Sequence, residues 1–74
     1  MISELQTETL ARFGRHLLTI RKSKKLSYRK IALNCDVDYS DISKIEKGEK
    51  NITLLTIVEL AKGLDVPLKD LMDF

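Results

Sequence analysis

Large apolar residues recur along this chain at intervals of three and four and almost nowhere at intervals of two. That spacing builds helices rather than strands. Leu10, Phe13, Leu17 and Ile20 mark the inner face of a first helix, which Ser3 with Gln6, or else Thr7, can cap and which fades within "RKSKK". A second helix is expected over "YRKIALNC", capped by Ser27 and turning Ile31, Ala32 and Cys35 inward. After the turn "DVD" comes a third, with Asp38 as its cap and Asp41 adding negative charge near the positive end of the helix dipole. Gly48 stops it. Thr53 caps a fourth, whose stripe is Leu54, Ile57, Val58, Ala61 and Leu64. Pro67 suits the first turn of a short fifth helix ending in Leu71 and Met72, with Leu68 and Leu71 closing the core. The pattern therefore predicts an all-α fold of five helices. No repeat, low-complexity run or Pro/Gly/Ser linker divides it, so one domain is expected over residues 1–74.

The third helix poses the functional question, because two large apolar residues cannot by themselves hold so short an element. At about 100° per residue, Ile42 and Ile45 set its buried direction, and Ser40, Ser43, Lys44 and Lys47 fall opposite. Tyr39 sits on the boundary. Glu46 lies close to the buried side, a costly place for a carboxylate unless a cation meets it. A face of short hydroxyls and lysines suits the DNA major groove, which admits one helix and is read by hydrogen-bonding side chains. The plain alternative is an ordinary solvated face.

Charge favours the first reading. The net charge of +2 is unevenly spread: residues 12–50 carry eleven Lys/Arg against five Asp/Glu, while the stretches on either side are each acidic. A basic middle between acidic ends points to a local anionic partner. The 43% hydrophobic content is that of a globular domain, and neither an apolar run of membrane-spanning length nor a secretory leader pattern occurs. One cysteine cannot form an internal disulfide, which fits a reducing cytoplasm. A chain this small is near the lower limit for a core that holds a fold unaided, which favours a partner subunit.

The stretches "FGRHLLTIRKSKKLS", "KIALNCDV", "ISKIEKGEKN" and "LLTIVELAKGLDVPLKDL" together cover residues 13–71, nearly the whole chain. In them it resembles the Cro/repressor-type, xenobiotic-response-element-like, helix-turn-helix regulators. The resemblance implies a five-helix repressor-like domain with the helix-turn-helix at about residues 28–47 and the third helix in the major groove. By position it implies base contacts from Tyr39, Ser40 and Lys44, with Ser43 a lesser one, and phosphate contacts from Tyr28, Lys47, Lys50 and Asn51. Tyr28 stands where such proteins usually carry glutamine. Arg21 and Glu46 match an ion pair joining the first and third helices. Asp36 and Lys25 stand where glycines are usual, so the resemblance implies a left-handed backbone at both, which such residues adopt less easily than glycine. Stand-alone chains of this size also resemble controller proteins of restriction–modification systems, including the "EKGEKNIT" loop.

The remaining chemistry is sparse. Cys35 has no metal-ligand spacing around it and reads as core; His16 reads as a surface or half-buried residue. Asp38 and Asp41 are explained by the helix start rather than by acid–base catalysis, and no nucleophile, nucleotide-loop or metal motif is present, so neither an enzyme nor a cofactor is expected. Leu55, Met72 and Phe74 are apolar residues hard to bury in one chain, and we read them as a homodimer surface formed by the helices of residues 53–74. The expected partners are double-stranded DNA, as a short palindrome spanning two half-sites, and a second copy, with no membrane and no small-molecule ligand. A protein-interaction module on the same fold, such as a coactivator bridge or an antitoxin-type partner, is the alternative.

Overall fold

Ser3 decides between the two possible starts of the first helix. Its hydroxyl accepts from the Gln6 backbone N–H at 3.2 Å while the Gln6 side chain accepts from the Ser3 N–H at 2.8 Å, two otherwise unpaired donors satisfied reciprocally. The computed structural model describes residues 3–74. Five α-helices follow in order: α1 Glu4–Ser23, α2 Tyr28–Leu33, α3 Tyr39–Glu46, α4 Leu54–Leu64 and α5 Leu68–Leu71.

Each boundary has a local cause. Helix α1 ends where Lys25 takes a left-handed backbone (φ 56°) and the Leu26 N–H turns back to the Arg21 carbonyl. Ser27 caps α2 by accepting from the Lys30 N–H. Helix α2 stops two residues earlier than expected, at Leu33, with Asn34 as its cap. Asp36 does not adopt the expected left-handed backbone: among the described residues other than glycine, only Lys25 and Asp65 have positive φ. The turn is closed instead by the Asp36 N–H donating to Glu59 of α4 at 2.9 Å. Asp38 occupies the N-cap of α3 with extended backbone, but its side chain makes no capping bond, contrary to expectation. Gly48, at φ 74°, ends the turn after α3. Thr53 caps α4 through the Thr56 N–H, and Pro67 precedes α5 as its N-cap rather than lying within the first turn.

The core forms where α1 packs on α3 and α5, α2 on α3 and α4, and α4 on α5. Phe13, Leu17, Ile31, Ile42, Ile45 and Leu64 lie at its centre, with Leu60, Ala61 and Leu71. The stripe expected on α4 is only partly right. Leu60 is fully buried, while Leu54 is 63% exposed and Val58 is exposed as well. Helix α4 is gripped from two sides, by α2 and α5, and this turns its buried arc toward Leu60, Ala61, Gly63 and Leu64. Leu71 alone closes the core from α5, since Leu68 remains 37% exposed.

Two glycines set the helix spacing. A Cβ on Gly14 would lie 2.6 Å from the Ile45 carbonyl oxygen and closer still to that of Glu46, so α1 crosses directly over the last turn of α3. A Cβ on Gly63 would meet Ile31 Cγ2 at 2.8 Å and Cys35 Sγ at 2.9 Å, so the bare backbone of α4 packs directly against Ile31 of α2 and Cys35 just beyond it.

Candidate nucleic-acid interface

Helix α3 is held from beneath at two levels. Ile42 and Ile45 are buried against α1 and α2, supplying the apolar anchor. Glu46 is the buried charged residue at its end, only 7% exposed. The cation it requires is Arg21 of α1, whose Nε donates to Oε2 at 2.6 Å and whose Nη2 donates to Oε1 at 3.2 Å. Arg21 Nη1 also donates to the Leu26 carbonyl at 3.0 Å, tying the α1–α2 connection to the same cluster. Hydrogen bonding to Glu46 outweighs the burial of the guanidinium and raises the Arg21 pKa above its already high ordinary value. Three helices thus converge on one carboxylate. Such a pair adds little net stability over an apolar replacement, but removing one partner strands a charge and costs about 3–5 kcal/mol. Its service is to fix where α3 sits.

The third member of the cluster is Tyr28 of α2. Tyr28 is read from sequence as a phosphate donor, yet its hydroxyl donates to Glu46 Oε1 at 2.9 Å. The Arg21 guanidinium covers its ring at 4.3 Å from the centroid. A phenol has one proton, and here that proton is spent inside the fold.

The opposite side of α3 faces solvent. Tyr39 is 52% exposed, Ser40 and Lys44 are exposed, and Ser43 is half-buried between them. Lys47, Lys50 and Asn51 stand exposed just beyond the helix, extending the polar face along the chain. Lys50 is partnered within the chain, its Nζ 3.0 Å from Asp41 Oδ1 on the first turn of α3. Sequence reasoning missed Arg29 of α2, whose guanidinium lies 5.5 Å from the Tyr39 ring centroid, within reach of the ring's negative face. Its charge was visible in the basic middle of the chain, but its neighbour was not. The α2–α3 crossing alone brings the two together.

Elsewhere, Leu55 is 75% exposed, while Met72 and Phe74 border an open apolar groove of about 610 Å³ whose other walls include Leu5, Leu10, Ile52 and Ile57. Leu55 lies outside the lining of that groove. Phe74 also turns back on its own chain, edge-on to Phe13 at 5.4 Å between centroids and tilted against His16. His16 Nε2 is 2.6 Å from the Asp70 carbonyl oxygen; a carbonyl brings no proton, so Nε2 carries the hydrogen that pins α5 to α1. Cys35 is half-buried beside Gly63, and burial pushes its thiol pKa up, partly offset by a hydrogen bond with the Val37 backbone. Among the described residues no helix is long and apolar enough to cross a membrane, and no cluster of three metal-ligating side chains occurs.

Comparison with known proteins places this architecture among relatives. The helix-turn-helix family profile matches residues 17–71. The control protein C.BamHI of Bacillus amyloliquefaciens is 43% identical over 63 residues, covering 84% of this chain and 78% of that one. The HTH-type transcriptional repressor RghR of Bacillus subtilis is 34% identical over 61 residues, which are 81% of this chain and 45% of RghR. Among solved structures, the restriction–modification controller protein C.AhdI from Aeromonas hydrophila superposes with a TM-score of 0.81 at 33% identity, over 86% of this chain and 97% of that one.

Proposed function

This chain belongs to the helix-turn-helix family, and on that premise we propose how it works: it is a DNA-binding transcription regulator whose α3 enters the major groove. The observation that carries this reading is the two-sidedness of α3. Its underside is locked by Ile42, Ile45 and the Glu46–Arg21 pair, while Tyr39, Ser40, Ser43 and Lys44 are free to meet base edges. Rigid support beneath and short hydrogen-bonding groups above are what direct readout needs. Lys47, Lys50 and Asn51 then hold the phosphate backbone and set the register.

The likeness to C.BamHI and C.AhdI supports a controller of a restriction–modification system, acting in the cytoplasm on its own and adjacent genes. It acts as a homodimer. The apolar groove beside Met72 and Phe74, on a chain with a small core, supports such pairing. Two copies would set their α3 helices about 34 Å apart, one turn of DNA, on a short imperfect palindrome.

Fluorescence anisotropy against the duplex immediately upstream of its own gene, beside a scrambled duplex, tests this across roughly 50–200 mM salt. Tight, salt-sensitive binding to the upstream duplex over the scramble is expected. Absence of binding to either duplex at low salt would remove the DNA reading and make the α3 face a protein-docking surface.

A further inference from the structure

Lys50 and Asp41 are nine residues apart in sequence, one in α3 and the other in the loop that follows it. Asp41 sits on the first turn of α3, one residue from Ser40, and Lys50 lies in the loop beyond the helix. Their side chains are 3.0 Å apart and retain 32% and 43% exposure. A pair this wet is weak and exchangeable. A phosphate offers the ammonium an equivalent charge-assisted bond together with release of counterions. The carboxylate is the odd member of the arrangement, an anion on the flank of the helix that, on the reading above, approaches a polyanion.

We propose that Asp41 is a specificity-determining residue that acts by restraint: it withholds Lys50 from the phosphate backbone until base contacts seat α3 in the groove. This rests on the DNA reading of the preceding section. In a loose encounter with random sequence, α3 stands off the bases, Asp41 stays clear of the strands, and Lys50 keeps its partner. Random DNA then gains one phosphate contact fewer than the exposed cations would allow. At the right sequence the bases draw the first turn of α3 inward. There the negative field of the strands weakens the hold of Asp41, and Lys50 comes within reach of a phosphate. Exchange is favoured at both ends of the pair only when α3 is seated. The pair therefore subtracts affinity selectively from wrong sites.

Salt slopes test this, because each phosphate contact contributes about 0.9 to the fall of log affinity with log salt. Wild type, Asp41→Asn, Lys50→Met and the double variant would be titrated against a duplex selected by the wild-type protein from a random pool and against a scramble of it. Asp41→Asn is expected to steepen the scramble slope by about 0.9, a roughly three- to fourfold larger loss of affinity between about 50 and 200 mM salt, and to leave the slope for the selected duplex unchanged. Lys50→Met is expected to do the converse, flattening the slope for the selected duplex alone and so testing the idea without altering α3. Equal shifts on both duplexes would overturn the proposal. So would persistence of the Asp41→Asn effect in the double variant, since Asp41 would then repel DNA directly rather than through Lys50. Absence of any salt-dependent duplex binding by the wild type is a different outcome, which overturns the DNA reading itself.

Discussion

Replacing Tyr28 by phenylalanine separates two roles for one hydroxyl. In the structure that hydroxyl donates to Glu46 at 2.9 Å. Hydrogen bonds to charged groups contribute about 1.5–3 kcal/mol. Phenylalanine keeps the ring under the Arg21 guanidinium, and Glu46 Oε1 still accepts from Arg21 Nη2 at 3.2 Å, so no buried acceptor is orphaned. The cost should therefore fall at the low end, about 1.5 kcal/mol. At about 4–8 °C per kcal/mol for a domain this small, the melting temperature should drop by roughly 6–12 °C. Total stability for a chain of this length is on the order of 4–11 kcal/mol, so the variant still folds. Glu46→Gln, which strands Arg21, is costlier and serves poorly as the primary test. Melting followed by far-UV circular dichroism gives the first arm, and anisotropy on the selected duplex well below the melting point gives the second. The expected result is a clear fall in melting temperature with unchanged DNA affinity. An unchanged melting temperature with weaker binding to every duplex would refute this reasoning and return Tyr28 to the phosphate wall.

Other outcomes follow from the same packing. Gly14→Ala improves helix propensity by up to about 1 kcal/mol, but its Cβ would press on the carbonyls of Ile45 and Glu46, and overpacking costs about 1–3 kcal/mol. A net loss of melting temperature is expected, and a rise would show that α1 can lift from α3 freely. Leu60→Ala should cost about 2–5 kcal/mol by urea melt while Leu54→Ala costs little, reversing the ranking the expected α4 stripe implies. Lys47→Ala should weaken binding to all duplexes and flatten the salt slope by about one contact, whereas Ser40→Ala should change the ranking of operator variants by about 1–3 kcal/mol at one position. The Cys35 thiol is raised by burial, so the folded state favours its protonated form. That contribution is complete below the ordinary thiol range and is lost as pH climbs through the raised value. Alkylation by iodoacetamide at about pH 8 should run slower in the folded than in the urea-unfolded chain, and equal rates would contradict the burial.

The helix starts were legible because a cap is a short-range event: Ser3, Ser27 and Thr53 each bond a backbone N–H three residues on, and no distant residue can alter that geometry. Asp38 shows the limit. It holds the N-cap position and backbone, but its side chain leaves the capping bond unmade. The two-sidedness of α3 was legible too, since Ile42 and Ile45 define one buried direction and everything opposite must be wet. The need of Glu46 for a cation followed from the same wheel and the cost of a buried carboxylate.

What tertiary structure alone decided concerns elements with more than one neighbour and side chains with more than one reach. A helical wheel encodes one apolar direction, whereas α4 is clasped by α2 and α5 at once, so Leu60 went inward and Leu54 outward. Phe74 keeps part of its ring exposed while packing against Phe13 and His16 of α1, a meeting of the two ends of the chain. Tyr28, Lys50 and Arg29 have side chains long enough to serve several partners. The crossings of α1, α2 and α3 brought Glu46 to the first and the Tyr39 ring to the third, and the turn after α3 folded the second back onto Asp41. Linear spacing specifies which groups share a face of one helix; it is silent on which groups meet across two.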